Sequence, residues 1–386
     1  MEKTHSLRGQ LTVLRTMQFS NYATMVLLIS YFPLYFESLG YTKLQIGAIY
    51  SVGPLLSIVS NLAVGILSDR TKNLRRILTL LYTVQILALA LLLPQKEFGI
   101  MAAIMALFYL FQTPINSMLD SVSLLAADQM NRTFPAIRVF GSLGYALSAV
   151  AFGYLLKIYG SDLTIILALS VIGVSMIFSF FIGDFQATLK KFEFGGLWGL
   201  LRKRETVAFF ALIMIVSVAH RMNEGFLSIA MRDLGANDSI IGYASLASAV
   251  SEIPMFFFLA KYGHRYRELP LLAVASFLYV IRLSLLSYAS GPWMMVAVQT
   301  MHSITFAIFY ITALRCLQAL IPDEYRSSGQ AVFAVVWSGL AGLIAGTLGG
   351  WLYDAFGLGY VFRTGAIFAL IGAIGFLVVH VRRGNA

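Results

Sequence analysis

QTPINSMLDSVSLLAADQMNRTFPAIRVFGSLGY, residues 112–145, joins two apolar helix patterns through a short polar turn. The first pattern carries Asp120 near its end and the second carries Arg138 near its start. A carboxylate and a guanidinium, each one to two turns inside one arm of a helical hairpin, lie at similar depth and can face each other. In hydrocarbon either charge alone costs roughly 2.5–3.5 kcal/mol, so the two are expected to pair. Two readings of the pair are open. It is a structural ion pair that locks two helices, or it is a polar substrate site inside a membrane bundle.

The rest of the chain favours the membrane. Of 386 residues, 59% are hydrophobic and 12% are charged, against about 25% charged in soluble domains. Mean hydropathy is +0.79, and apolar runs of about 20 residues, the length a helix needs to cross a bilayer, recur throughout. The net charge of +10 does not indicate nucleic acid, because the basic residues sit in short loops between apolar runs. Cys316 is the only cysteine, which excludes an internal disulfide and a thiolate metal site. No cofactor is expected. The start, MEKTHSLRGQLTVLRT, is polar and basic and leads into a run long enough to span, so no cleavable signal peptide is expected.

Twelve spans are predicted, at about 14–37, 44–68, 76–94, 98–126, 136–157, 161–183, 206–230, 238–261, 268–289, 292–320, 327–352 and 358–381. An even number puts both termini on one side. On that side lie nineteen basic residues, from Lys3, Arg8 and Arg15 through Arg75, Arg76, Arg132, Lys190 and Lys191 to Arg382 and Arg383. The opposite loops hold four: Lys43, Lys96, Lys157 and Arg232. Positive charge stays in the cytoplasm, so both termini are expected there.

Residues 184–204 are the one long connection. They divide the chain into 1–183 and 205–386, each with six spans, and the halves repeat. FESLGYTKLQIG (36–47) aligns with MRDLGANDSIIG (231–242), matching Gly40 to Gly235 and Gly47 to Gly242. AFGYLLKIYG (151–160) resembles LGGWLYDAFG (348–357), matching Gly153 to Gly350 and Gly160 to Gly357. Duplicated six-span units are the architecture of alternating-access transporters, with substrate held near the midplane. The fold class expected is therefore an all-α membrane protein of two pseudo-symmetric six-helix bundles.

After span 2 the chain reads Gly65-Ile66-Leu67-Ser68-Asp69-Arg70, then Arg75-Arg76. It is either an ordinary charged loop obeying the positive-inside rule or a latch, with Gly65 allowing close helix approach and Asp69 and Arg70 meeting partners across the cytoplasmic face. The stretch resembles the cytoplasmic signature of the major facilitator superfamily, although Lys72 stands where a second glycine is usual. ISYFPLYFESLG (29–40), RVFGSLGYAL (138–147), SEIPMFF (251–257) and QTMHSITF (299–306) are similar to the branch of that superfamily containing lactose permease and the phenylpropionate permeases. The resemblance implies that Asp120 and Arg138 occupy the place of the acidic–arginine pair that binds sugar hydroxyls. It also implies that Tyr145 stands in for an aromatic ring on which the sugar stacks.

The second half carries its own ionisable set. His220 and Glu224 are spaced i,i+4, Arg221 and Glu224 i,i+3, so all three can meet on span 7. Glu252 lies in span 8, Arg282 in span 9, and Gln299 and His302 in span 10. Charges this deep should face the interior and one another. A carboxylate whose arginine or histidine partner moves changes its affinity for a proton. Glu252, His302 and Arg282 are the expected coupling group, with Glu224 and His220 as rivals. The family's proton carrier on span 10 is absent, since Thr305 stands in its place, so the proton site is not transferred by resemblance. Asn116, four residues before Asp120, is the best of the neutral polar candidates.

The function expected is proton-coupled symport of a small polar solute, a sugar, oligosaccharide or glycoside, by a monomer in a bacterial inner membrane. Asp120, Arg138, Asn116, Tyr145, Glu252 and His302 are the expected substrate ligands. Import of a carboxylated aromatic is the first alternative and proton-antiport drug efflux the second, weakened because span 5 lacks a Gly-Pro-rich run. No nucleotide loop, HExxH or paired catalytic residues indicate an enzyme.

Overall fold

The structure, a computed structural model, describes residues 2–71, 73–130, 134–183, 197–322 and 325–384. Lys72, Arg132, Lys190 and Lys191 lie outside the described residues, as do the side chains of the expected latch, Gly65, Asp69 and Arg70.

The first expected span is built from α1 (Glu2–Val26), a π-helical turn (Leu27–Tyr31) and α2 (Phe32–Ser38). Spans two to six are α3 (Lys43–Thr71), α4 (Leu74–Leu92), α5 (Phe98–Gln129), α6 (Pro135–Tyr159) and α7 (Leu163–Ser179). The short α8 (Leu197–Leu201) precedes α9 (Arg204–Asp233), α10 (Asp238–Tyr262) and α11 (Glu268–Ser287). Span ten is α12 (Pro292–Gln299), a π turn (Ser303–Ala307) and α13 (Ile308–Leu320). Span eleven is α14 (Arg326–Ala334), a π turn (Val335–Leu340) and α15 (Ala341–Phe356), and α16 (Leu358–Gly384) completes the set.

Among the described residues, ten of these spans are long and apolar enough to cross a membrane. The apolar α7 is shorter, at 17 residues, and the first span buries the polar Gln18, Ser20, Asn21 and Thr24. Helix faces that would be polar in a soluble protein are apolar here. On α16, for example, Ile367, Leu370, Ile371, Ile374, Leu377 and Val378 are exposed, a surface suited to hydrocarbon.

One boundary differs in kind from expectation. Residues 65–70, read as a loop, form the last turns of α3. No breaker interrupts them before Asn73, whose side chain caps α4 by accepting from the Arg76 amide.

The chain divides into two compact units, each discontinuous. The first comprises Met1–Tyr41, Leu55–Leu189 and Asn237–Leu246, and the second Thr42–Pro54, Lys190–Ala236 and Ala247–Ala386. In the first unit α1 packs on α6 and α7. The start of α10 joins them through Gly242, where a Cβ would come within 2.4 Å of the Ala149 carbonyl oxygen. Tyr31 donates to that same carbonyl, and Ser30 and Ser245 share a 2.9 Å hydrogen bond.

In the second unit α16 packs on α11 and α9, and α15 on α9. The start of α3 joins this unit through Gly47, where a Cβ would fall 2.1 Å from the Gly346 carbonyl oxygen. Asp354 accepts from the Lys43 and Leu44 amides at 3.0 and 2.8 Å, satisfying donors that a helix N-terminus leaves open. The two joints fall at repeat-related positions. Gly40, Gly160, Gly235 and Gly357, matched pairwise in the sequence repeat, are the described glycines with positive φ, at 85–89°.

Candidate functional site

In the first unit, Gln18, Tyr22 and Met25 lie along one face of α1, and Asn116, Asp120 and Ser123 along one face of α5, both at i, i+4, i+7. The faces meet through hydrogen bonds from Gln18 Nε2 to Asp120 Oδ1 (2.9 Å) and to Ser123 Oγ (3.2 Å). Asn21 Nδ2 donates to Asn116 Oδ1 at 2.6 Å. Arg138, in the first turn of α6, approaches Asp120 with Nε to Oδ1 at 3.6 Å. That distance is an ion pair without a hydrogen bond.

The guanidinium is held instead by Tyr22. It lies 4.1 Å from the centre of that ring and donates to the phenol oxygen. Gly141 makes room, since a Cβ there would lie 2.7 Å from the Tyr22 ring and 2.9 Å from the Arg138 guanidinium. The Asp120 side chain is 42% exposed and that of Arg138 29%. A pair this open contributes about 0–1 kcal/mol, so helix locking is a poor account of it. Tyr145 stands two turns further along α6, half-buried.

The second unit contains two histidine–carboxylate pairs. His302 Nε2 is 2.8 Å from Glu252 Oε1, and His220 Nε2 is 3.4 Å from Glu224 Oε1. Glu224 Oε2 also takes a 2.7 Å bond from Arg221, whose other nitrogen donates to Ser338 at 2.8 Å. Arg282 is fully buried. Its guanidinium meets His302 Nδ1 at 2.8 Å and donates to Thr305 Oγ1 at 3.0 Å and Gln299 Oε1 at 2.6 Å. Tyr279 Oη lies 3.0 Å from His220 Nδ1.

The two imidazoles are stacked 5.8 Å apart, and each stacks on Phe306, at 5.0 and 4.9 Å. Trp337 covers His220 at 5.2 Å. The structure thus brings together every member of the expected coupling set and its rival. Glu252 and Glu224 keep side-chain exposures of 20% and 26%, so both carboxylates remain reachable.

Sequence reasoning missed Gln18, Tyr22, Tyr279, Phe306 and Trp337. Gln18 and Tyr22 had a findable signal, since polar side chains on one face of an apolar span must bond to another helix. The aromatic residues had none, in a chain with 29 Phe and 19 Tyr.

Comparison with known proteins adds the following. The model of the MFS_1 like family matches residues 11–364. The probable 3-phenylpropionic acid transporter of Escherichia coli (strain K12) is 26% identical over 91% of this chain and 93% of its own. The maltose permease of Geobacillus stearothermophilus is 25% identical, over 88% and 87%. Among solved structures, that of the nucleoside transporter NupG superposes with a TM-score of 0.85 at 15% identity, over 96% of this chain and 99% of that one.

Proposed function

Since the chain belongs to the MFS_1 like family, a family of transporters, we propose that it is a proton-coupled symporter importing a small hydroxylated solute of the sugar, oligosaccharide or glycoside class. The observation that carries this is the open Asp120–Arg138 pair, with 3.6 Å between its charged atoms and both side chains partly exposed. A carboxylate that accepts and a guanidinium fork that donates, held apart by Tyr22 and Gln18, leave hydrogen-bonding capacity for a ligand's hydroxyl groups. Asn116 lies on the same helix face, and Tyr145 offers a ring nearby.

Coupling falls to the second unit. Glu252 and Glu224 each sit beside a histidine, His302 and His220 respectively, in a fold that works by alternating access. The six-span halves 1–183 and 205–386 are the moving bodies, and Gly65, Asp69 and Arg70 form the cytoplasmic latch. The protein acts as a monomer in a bacterial cytoplasmic membrane with both termini inside, in keeping with nineteen basic residues on that side.

A second reading is import of an aromatic carboxylate. Phe306 and Trp337, each stacked on His220 next to Arg221 in α9, favour it, as does the similarity to a probable phenylpropionic acid transporter.

The test is the pH of a lightly buffered suspension of de-energised cells expressing the protein, given maltose, a phenyl glucoside, uridine or 3-phenylpropionate in turn. Alkalinisation with a hydroxylated solute is expected. A response to 3-phenylpropionate alone establishes the second reading, and binding without proton movement overturns proton coupling. Asp120→Asn removes a charge-assisted bond of about 1.5–3 kcal/mol and should weaken binding roughly 10- to 100-fold. Unchanged affinity would refute the site.

A further inference from the structure

We propose that Arg282 fixes His302 as the neutral imidazole with its hydrogen on Nε2. His302 then relays the arginine's charge to Glu252 without ever taking a proton, and Glu252 is the member of the trio that does. The donor logic follows from the contacts. A guanidinium has only N–H groups and no acceptor. The Arg282 nitrogen 2.8 Å from His302 Nδ1 therefore donates, and Nδ1 must present its lone pair. A neutral ring with Nδ1 bare carries its hydrogen on Nε2, and Nε2 points at Glu252 Oε1 at 2.8 Å, an oxygen that accepts. The chain of donors runs one way, from arginine through imidazole to carboxylate.

An imidazolium in this place would turn a second N–H toward the guanidinium at 2.8 Å, setting donor against donor and cation against cation. Arg282 cannot yield easily, being fully buried and held by Gln299 and Thr305. Among the described residues no carboxylate touches its guanidinium. A counter-charge, Glu252, stands on the far side of the imidazole, which helps a buried arginine to be tolerated there.

The other groups facing His302 and its neighbours leave this intact. His220 stacks against His302 without a hydrogen bond to it, Glu224 is engaged by His220 and Arg221, and Tyr279 is engaged by His220. His220 is not constrained in the same way. A tyrosine hydroxyl can donate to Nδ1 or accept from it, so His220 can become an imidazolium between Tyr279 and Glu224. Two stacked histidines thus have opposite roles, one able to hold a proton and one barred from it.

The assignment of Glu252 as proton carrier rests on the proton-coupling reading above, while the state of His302 does not. The first arm of the test therefore needs no substrate. The protein has five histidines, and with ¹⁵N-labelled imidazoles in lipid nanodiscs the His302 signals are those missing from the His302→Gln variant. They should show one protonated and one bare nitrogen, the proton on Nε2, with no shift as the pH falls while the protein stays folded. In Arg282→Leu, checked for native melting behaviour, His302 should begin to titrate. Should Arg282→Leu not fold, the parent titration still decides. Double protonation of His302 in the folded parent overturns the proposal.

The second arm uses transport of the panel solute that alkalinises cells expressing the parent. A glutamine has one acceptor and one donor, like the fixed imidazole. His302→Gln should therefore lose less of the substrate-driven alkalinisation than His302→Leu, and what remains should keep the parent's pH profile. Loss of coupling in His302→Gln with exchange preserved would make the histidine a proton carrier and refute the relay. If the parent itself moves no protons, the coupling reading fails and the labelled imidazoles still decide the tautomer.

Discussion

Gly141 shows how a residue without a side chain shapes a site. Its α-carbon faces the one place where the Tyr22 ring can lie flat under the Arg138 guanidinium, and a methyl group there would sit 2.7 Å from the ring. Gly141→Ala must displace Tyr22 or Arg138, and overpacking of this kind costs about 1–3 kcal/mol. It should lower the melting temperature in detergent and weaken solute binding, while Gly173→Ala, in open space, should do neither. Asp120 and Arg138 were legible in the sequence because a charge in hydrocarbon demands a partner. Their true geometry was not. The sequence pairs them, and the 3.6 Å ion pair agrees, but the sequence does not show that Gln18 also holds the carboxylate and Tyr22 the guanidinium. That arrangement depends on how α1 is rotated about its axis, which hydropathy does not encode.

Among the elements, the helix ends marked by repeated glycines were legible in the sequence. Gly160 ends α6 with φ 86° and ψ 169°, a region that other residues enter only at a cost of about 1–3 kcal/mol. No atom lies within 4 Å of the Cβ it lacks, so Gly160→Ala should cost that backbone term alone, read as reduced thermal stability. Gly225, inside α9 and equally uncrowded, is the control, where alanine should gain up to about 1 kcal/mol. The π turns had no signature in the sequence. One begins immediately after His302 and another contains Trp337 and Ser338, in keeping with the tendency of such turns to fall at functional positions. Each widens a helix by one residue, and the 3.6-residue period used to align side chains fails across it.

For the whole molecule, a simple rule recovered most of the architecture. Apolar runs of about 20 residues located the spans, and recurring glycines revealed the duplication. The division into units was less accessible. The starts of α3 and α10 each pack in the unit opposite to that of their own remainder, through Gly47 and Gly242, and a split drawn at the long connection cannot show this. On the proposed proton-coupled reading, function at this scale turns on Glu252. Glu252→Gln keeps a hydrogen-bonding side chain but cannot ionise, so it should abolish uphill accumulation while sparing exchange of labelled for unlabelled solute. Accumulation that survives would move the proton to Glu224.

The stacking of Trp337 on His220, 5.2 Å between ring centres, also makes the second unit its own optical instrument. An imidazolium quenches indole emission by accepting an electron from the excited ring, and a neutral imidazole does so far less. With the other three of its four tryptophans replaced by phenylalanine, the protein would signal protonation of His220 as a loss of light, in real time and without an added dye.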